Sequence, residues 1–170
     1  MPIYHRLGDV PAKRHSIFRQ PDGSLYQEQL MGNKGFVGPS SLLYHRRPPT
    51  TVKAIEHVKS VALEADDDPR VRHRHFLAHQ LGAKGSAVLD RVPMLFNHDV
   101  ASYFVEPDQD DDFFFRNSQG DEIVYVGEGE GVLESQFGDL PFHPGDYLVI
   151  PRGILHRYRF TGQPVRLLIL

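Results

Sequence analysis

The run Gly145-Asp146-Tyr147-Leu148-Val149-Ile150-Pro151-Arg152-Gly153-Ile154-Leu155-His156 sets one histidine at the end of the spacing Gly-x5-Pro-x-Gly-x2-His. An imidazole held at a fixed point is a natural metal ligand. A second set, His73, His75 and His79, falls on one face if its segment is extended, so its geometry permits a metal cluster. Arg70, Arg72 and Arg74 are interleaved with it, and neighbouring positive charge opposes cation binding. Exposed or interface histidines are the expectation there. Gly127-x-Gly129-x-Gly131 has no helix after it, which argues against a phosphate-cradling loop. Phe113-Phe114-Phe115, next to an acidic stretch, reads as core and interface, and no Ser/His/Asp arrangement follows from spacing.

The elements that must position His156 are short. Pro144-Gly145-Asp146 makes a turn and Tyr147 to Ile150 an apolar strand. Pro151-Arg152-Gly153 turns the chain again. The next strand carries Ile154, His156, Tyr158 and Phe160 on one face and Leu155, Arg157 and Arg159 on the other. Upstream, Pro21-Asp22-Gly23-Ser24 predicts a turn, and Leu25 to Leu30 and Ser41 to Tyr44 predict strands. Residues 51–65 fit a helical face through Val52, Ile55, Val58 and Ala62, but the β-rich surroundings favour a strand. Further strands are expected over Val71 to Gln80, Ala87 to Asp90, Met94 to Phe96, Ala101 to Val105, Ile123 to Val126, Val132 to Phe137 and Val165 to Leu170. Glu64 to Pro69 and Glu106 to Asp112 read as solvated acidic loops, and Gly127 to Gly131 as a hairpin loop.

Turns at such regular intervals indicate an all-β antiparallel barrel or jelly roll with an N-terminal strand-and-loop extension. Residues 1–50 form that extension, packed on a barrel of residues 51–170. The chain has 170 residues, enough for one sizeable core. Nineteen Lys and Arg against 22 Asp and Glu argue against a general nucleic-acid or membrane-surface binder. With no cysteine, disulfides and thiolate chemistry are excluded. Together with the lack of an N-terminal apolar run, this suggests a cytoplasmic protein. Val165-Arg166-Leu167-Leu168-Ile169-Leu170 ends the sequence on an apolar strand, either a docked last strand or the sign of a longer polypeptide. The second reading is the expectation.

The Gly145 to His156 stretch resembles the second motif of the cupin superfamily, small β-barrels that often hold a metal through three histidines and a carboxylate. The family's first motif is His-x-His-x3–4-Glu-x6-Gly. Here Glu122 and Gly129 keep the Glu-x6-Gly spacing, while the histidine positions hold Phe115 and Asn117 on one alignment or Arg116 and Ser118 on the other. Phe160 stands where the second motif usually ends in Asn. The resemblance therefore leaves Glu122 and His156 as residual metal positions, and two donors are too few for a divalent ion. A metal-free barrel is expected.

Longer stretches resemble the homogentisate 1,2-dioxygenase family within the cupins. They are Tyr4-His5-Arg6-Leu7-Gly8, Pro11-Ala12-Lys13-Arg14-His15, Pro21 to Tyr26, Glu28-Gln29-Leu30, Gly35-Phe36, Ser40 to His45, Pro48-Pro49, Pro93 to Asn97, Phe115 to Glu122 and Gly145 to His156. The resemblance implies the N-terminal, metal-free half of a two-half protein. The missing C-terminal half would carry non-haem Fe(II) on two histidines and a glutamate and use O2 to open homogentisate to maleylacetoacetate, in tyrosine and phenylalanine breakdown. It implies no catalytic, cofactor-binding or metal-ligating residue in this chain, and it implies homo-oligomers.

Two other readings stay open. One is a stand-alone degenerate cupin that binds a small ligand or a protein partner without chemistry. The other is a metal-binding, isomerase-type cupin that uses Glu122, His156 and a third donor such as His143.

Overall fold

The structure, a computed structural model, describes residues 17, 19–32, 34–68 and 70–170. The chain divides into two compact units, Met1–His57 and Val58–Leu170.

In the first unit, β1 (Gln27–Gly32) and β2 (Ser40–His45) form an antiparallel pair, in register from Gln27 opposite His45 to Gly32 opposite Ser40. The expected turn precedes it: Asp22 Oδ1 accepts the Ser24 N–H at 2.9 Å, and Gly23 takes a positive φ of 84° that a side chain would resist. Among the described residues of this unit none is buried.

Among its described residues the second unit contains a 3-10 turn (Ala78–Gln80) and nine strands: β3 (Lys84–Gly85), β4 (Val92–Phe96), β5 (Ala101–Pro107), β6 (Glu122–Glu128), β7 (Gly131–Ser135), β8 (Gly138–Phe142), β9 (Tyr147–Ile150), β10 (His156–Phe160) and β11 (Arg166–Ile169). One sheet runs β3-β5-β11-β6-β9, with β4 also paired to β5; the other runs β10-β7-β8. Alternating side chains from both meet in one core. Val105, Val124, Val126, Leu148, Ile150, Leu167 and Ile169 come from the larger sheet, and Leu133, Phe142 and Tyr158 from the smaller. The result is a mainly β, cupin-like architecture. Among the described residues its ladders form two facing sheets, and neither closes into a complete barrel.

Several expectations need correction. Residues 51–65 form neither strand nor helix, and most of their apolar side chains stay exposed, Ile55 at 90% and Val58 at 75%. The strand expected over Val71 to Gln80 is irregular chain ending in the 3-10 turn. Ala87 to Asp90 is a turn, because Ser86 Oγ accepts the Val88 and Leu89 N–H groups while the Asp90 carboxylate accepts the Ser86 N–H. Gly127 to Gly131 is not a hairpin loop, since β6 pairs with β11 and β9 whereas β7 pairs with β10 and β8; the glycines carry the chain between sheets. The strand β8 was not anticipated.

The second acidic stretch is also less solvated than its composition suggests. Glu106 is buried at the end of β5, bound to Arg166 Nε at 2.8 Å with Lys84 Nζ at 3.5 Å. Asp110 accepts the Phe160 N–H, and Asp111 is buried, which pushes its carboxyl pKa up. The apolar strand at the end of the sequence lies inside the larger sheet, β11 pairing with both β5 and β6, so Leu167 and Ile169 are covered. Among the described residues no helix is long and apolar enough to cross a membrane.

Candidate functional site

The two sheets aim Glu122 and His156 into the same interior. Glu122 opens β6 opposite Ile150, and His156 opens β10 opposite Ser135; both side chains are buried. The segment Phe113 to Ser118 alternates, with positions 113, 115 and 117 half-buried and 114, 116 and 118 exposed. This settles the alignment left open by the sequence: Phe115 and Asn117, not Arg116 and Ser118, face inward. Phe115 is tied to His156 by a two-way backbone bridge, its N–H donating at 2.8 Å and its carbonyl accepting at 2.9 Å. The Phe115 and His156 rings meet edge to face, with centroids 5.6 Å apart.

Glu122 is held through one carboxylate oxygen by groups of this chain. Its Oε1 accepts Arg91 Nη1 at 3.1 Å and Asn117 Nδ2 at 3.0 Å. Arg91 Nη2 also lies 3.0 Å from Oε2, an ion-pair contact too poorly aligned to be a second hydrogen bond. The guanidinium is itself fixed, with Nε donating to the Ala87 carbonyl at 2.7 Å and its carbon 5.7 Å from the centre of the Phe115 ring. Arg91 was not singled out in the sequence. It lies 31 residues from Glu122, directly after the turn that ends at Asp90 and outside any motif.

His156 has Nδ1 3.0 Å from the Ile154 carbonyl, and its Nε2 is buried without a hydrogen-bond partner. Burial pushes its pKa below the usual 6.5, and the Arg91 charge adds to this; the Ile154 bond and Glu122 pull the other way. The balance of these effects favours the neutral imidazole. Two residues along β10, Tyr158 is wholly buried, its hydroxyl also lacks a partner, and burial pushes its pKa far up.

The donor set does not suit a divalent ion. Two donors face the interior, and the carboxylate is already held by a guanidinium and an amide. His143 is not a third: it is exposed on the turn after β8, 3.8 Å from Asp146. His73, His75 and His79 are all exposed, and Arg70, Arg72 and Arg74 pair with Asp66 and Asp68. Among the described residues no group of three or more His, Asp or Glu is placed to hold a metal. Of the three glycines Gly127 lies in β6 and Gly131 opens β7, with no helix following, and Phe114 lies exposed under the Arg157 guanidinium at 4.4 Å. The stretches Tyr4 to Gly8 and Pro11 to His15 lie outside the described residues.

Comparison with known proteins gives a consistent picture. Residues 104–170 match the cupin domain family. Over 161 residues the chain is 39% identical to "Putative dioxygenase" of Saccharolobus solfataricus, covering 94% of this chain and 42% of that protein. It thus spans less than half the length of this relative. Over 47 residues it is 38% identical to acireductone dioxygenase of Rhodopseudomonas palustris, covering 25% of this chain and 28% of that one. Among solved structures, a cupin-2 domain protein of Shewanella frigidimarina aligns with 46% of this chain and 76% of its own, at 18% identity and a TM-score of 0.41.

Proposed function

We propose that this cupin-superfamily chain is the non-catalytic, N-terminal half of a ring-cleaving Fe(II) dioxygenase of the homogentisate type. One observation carries the reading: Glu122, the carboxylate a cupin would offer to a metal, is bound instead to Arg91 and Asn117. The extended identity to a dioxygenase-named protein more than twice as long supports it. So do the motif stretches that resemble homogentisate 1,2-dioxygenases. In this reading the residues described above supply scaffold and subunit contacts. Iron bound to two histidines and a glutamate in the other half would supply the O2 chemistry that converts homogentisate to maleylacetoacetate. Homo-oligomeric assembly and a cytoplasmic setting belong to the same proposal.

The test is direct. Purified protein mixed with Fe(II), homogentisate and air should give no maleylacetoacetate absorbance, and product formed at a rate proportional to this chain would overturn the assignment. A second reading, a degenerate cupin that holds a small polar ligand without chemistry, is favoured by the unpartnered Nε2 of His156 and hydroxyl of Tyr158. A small molecule that raises the melting temperature of the wild type but not of Tyr158→Phe would support that reading.

A further inference from the structure

We infer that the Arg91 guanidinium is the resident cation of this interior, standing where a metal ion would meet the Glu122 carboxylate and thereby excluding one. The inference rests on the proposal above that this domain carries no metal, and its test is separable from the homogentisate assay.

The geometry supports it in three ways. First, Arg91 approaches both carboxylate oxygens, Nη1 at 3.1 Å from Oε1 and Nη2 at 3.0 Å from Oε2, as a carboxylate-binding cation should. Second, the arginine is built in. Its side chain is 10% exposed, its Nε is spent on the Ala87 carbonyl, and the Phe115 ring lies against it. The turn that presents it is closed by Ser86 and Asp90. Third, the residues at the two positions where the cupin motif has histidine serve the arginine arrangement: Phe115 packs on Arg91 and His156, and Asn117 donates to Glu122.

Charge balance makes the exclusion. Arg91 and Glu122 neutralise each other inside this buried interior. A divalent ion entering here would face the guanidinium at close range and would have to take the carboxylate from it. A pair of buried charges tolerates neither the loss of its partner nor an extra uncompensated charge.

The experiment is cation rescue. Chelator-treated wild type should keep its melting temperature in millimolar CoCl2 or millimolar methylguanidinium chloride. Arg91→Ala, with the carboxylate stranded, should melt lower, and either cation should raise it by roughly 5 °C, as expected for a ligand bound selectively to the native state. Adding Glu122→Gln should abolish that rise. An Arg91→Ala protein that responds to neither cation overturns the inference. So does wild type stabilised by Co(II) in a way that His156→Asn removes.

Should Arg91→Ala be recovered only unfolded, Arg91→Met combined with Glu122→Met takes its place. With both charges gone the double variant should fold and melt above either single variant, and a double variant that is unfolded overturns the inference. Homogentisate turnover through iron held elsewhere would sink the functional proposal and leave Arg91 its role; failed rescue does the reverse.

Discussion

Burial of the His156 ring has a measurable pH signature. Its native pKa lies below the usual 6.5, so between the two values the unfolded chain binds a proton that the folded chain refuses. The stabilising contribution is complete above about pH 6.5 and falls away as pH drops toward the native value, with a slope of at most about 1.4 kcal/mol per pH unit for one proton. Urea unfolding of wild type and His156→Asn across this window should show the slope in the first and its loss in the second. Parallel curves would mean that the ring is protonated in place. At this scale the sequence was half legible. The spacings around Gly145, Gly153 and Glu122 correctly sent His156 and Glu122 inward, because strand alternation and turn glycines are local. Arg91 was illegible: its partner is 31 residues away, and an arginine after Asp90 looks like any surface charge until the sheets close.

Strands announced themselves where apolar alternation met turn residues, as in β5, β6, β9, β10 and β11, all set in the two sheets. The sequence misleads where composition suggests a strand but a side chain closes a turn first, as Ser86 and Asp90 do, or where no backbone ladder forms, as for residues 51–65. The glycine run 127–131 misled for a different reason. Flexibility suits a tight hairpin and a sheet-to-sheet crossing equally, and only long-range pairing distinguishes them. The crossing makes its own demand on Gly131. A Cβ there would press into the Arg159 carbonyl oxygen and come within 2.9 Å of the Phe142 ring, both parts of the smaller sheet. Gly131→Ala should therefore destabilise by about 1–3 kcal/mol through overpacking, whereas Gly120→Ala, with open space around its Cβ, should stay within about 0.5 kcal/mol of wild type. Equal midpoints in a thermal or urea melt would refute the close approach.

The distribution of burial across the whole chain separates a self-supporting part from a dependent one. Every member of the core cluster lies between Ala87 and Ile169, while the described residues before His57 bury nothing and leave Phe36 98% exposed. Between these parts, Arg70, Arg72 and Arg74 sit exposed on irregular chain, paired with Asp66 and Asp68, and such surface pairs restrain a backbone weakly. By contrast, Arg157, Arg159 and Arg166 are in or beside paired strands, with carboxylate partners at Glu134, Asp110, Glu106 and Glu128. A protease needs a segment that opens locally, and the free energy of opening follows packing and backbone pairing. Brief trypsin digestion should cut at Arg46, Lys53 and Arg70 to Arg74 before any site beyond Lys84. Mass spectrometry should then find a fragment running from near residue 75 to Leu170, and that fragment should still melt cooperatively because it holds the entire core. Early cleavage at Arg157, Arg159 or Arg166 would contradict the packing described above. Persistent protection of Arg70 to Arg74 would mean that another surface covers this basic segment in solution.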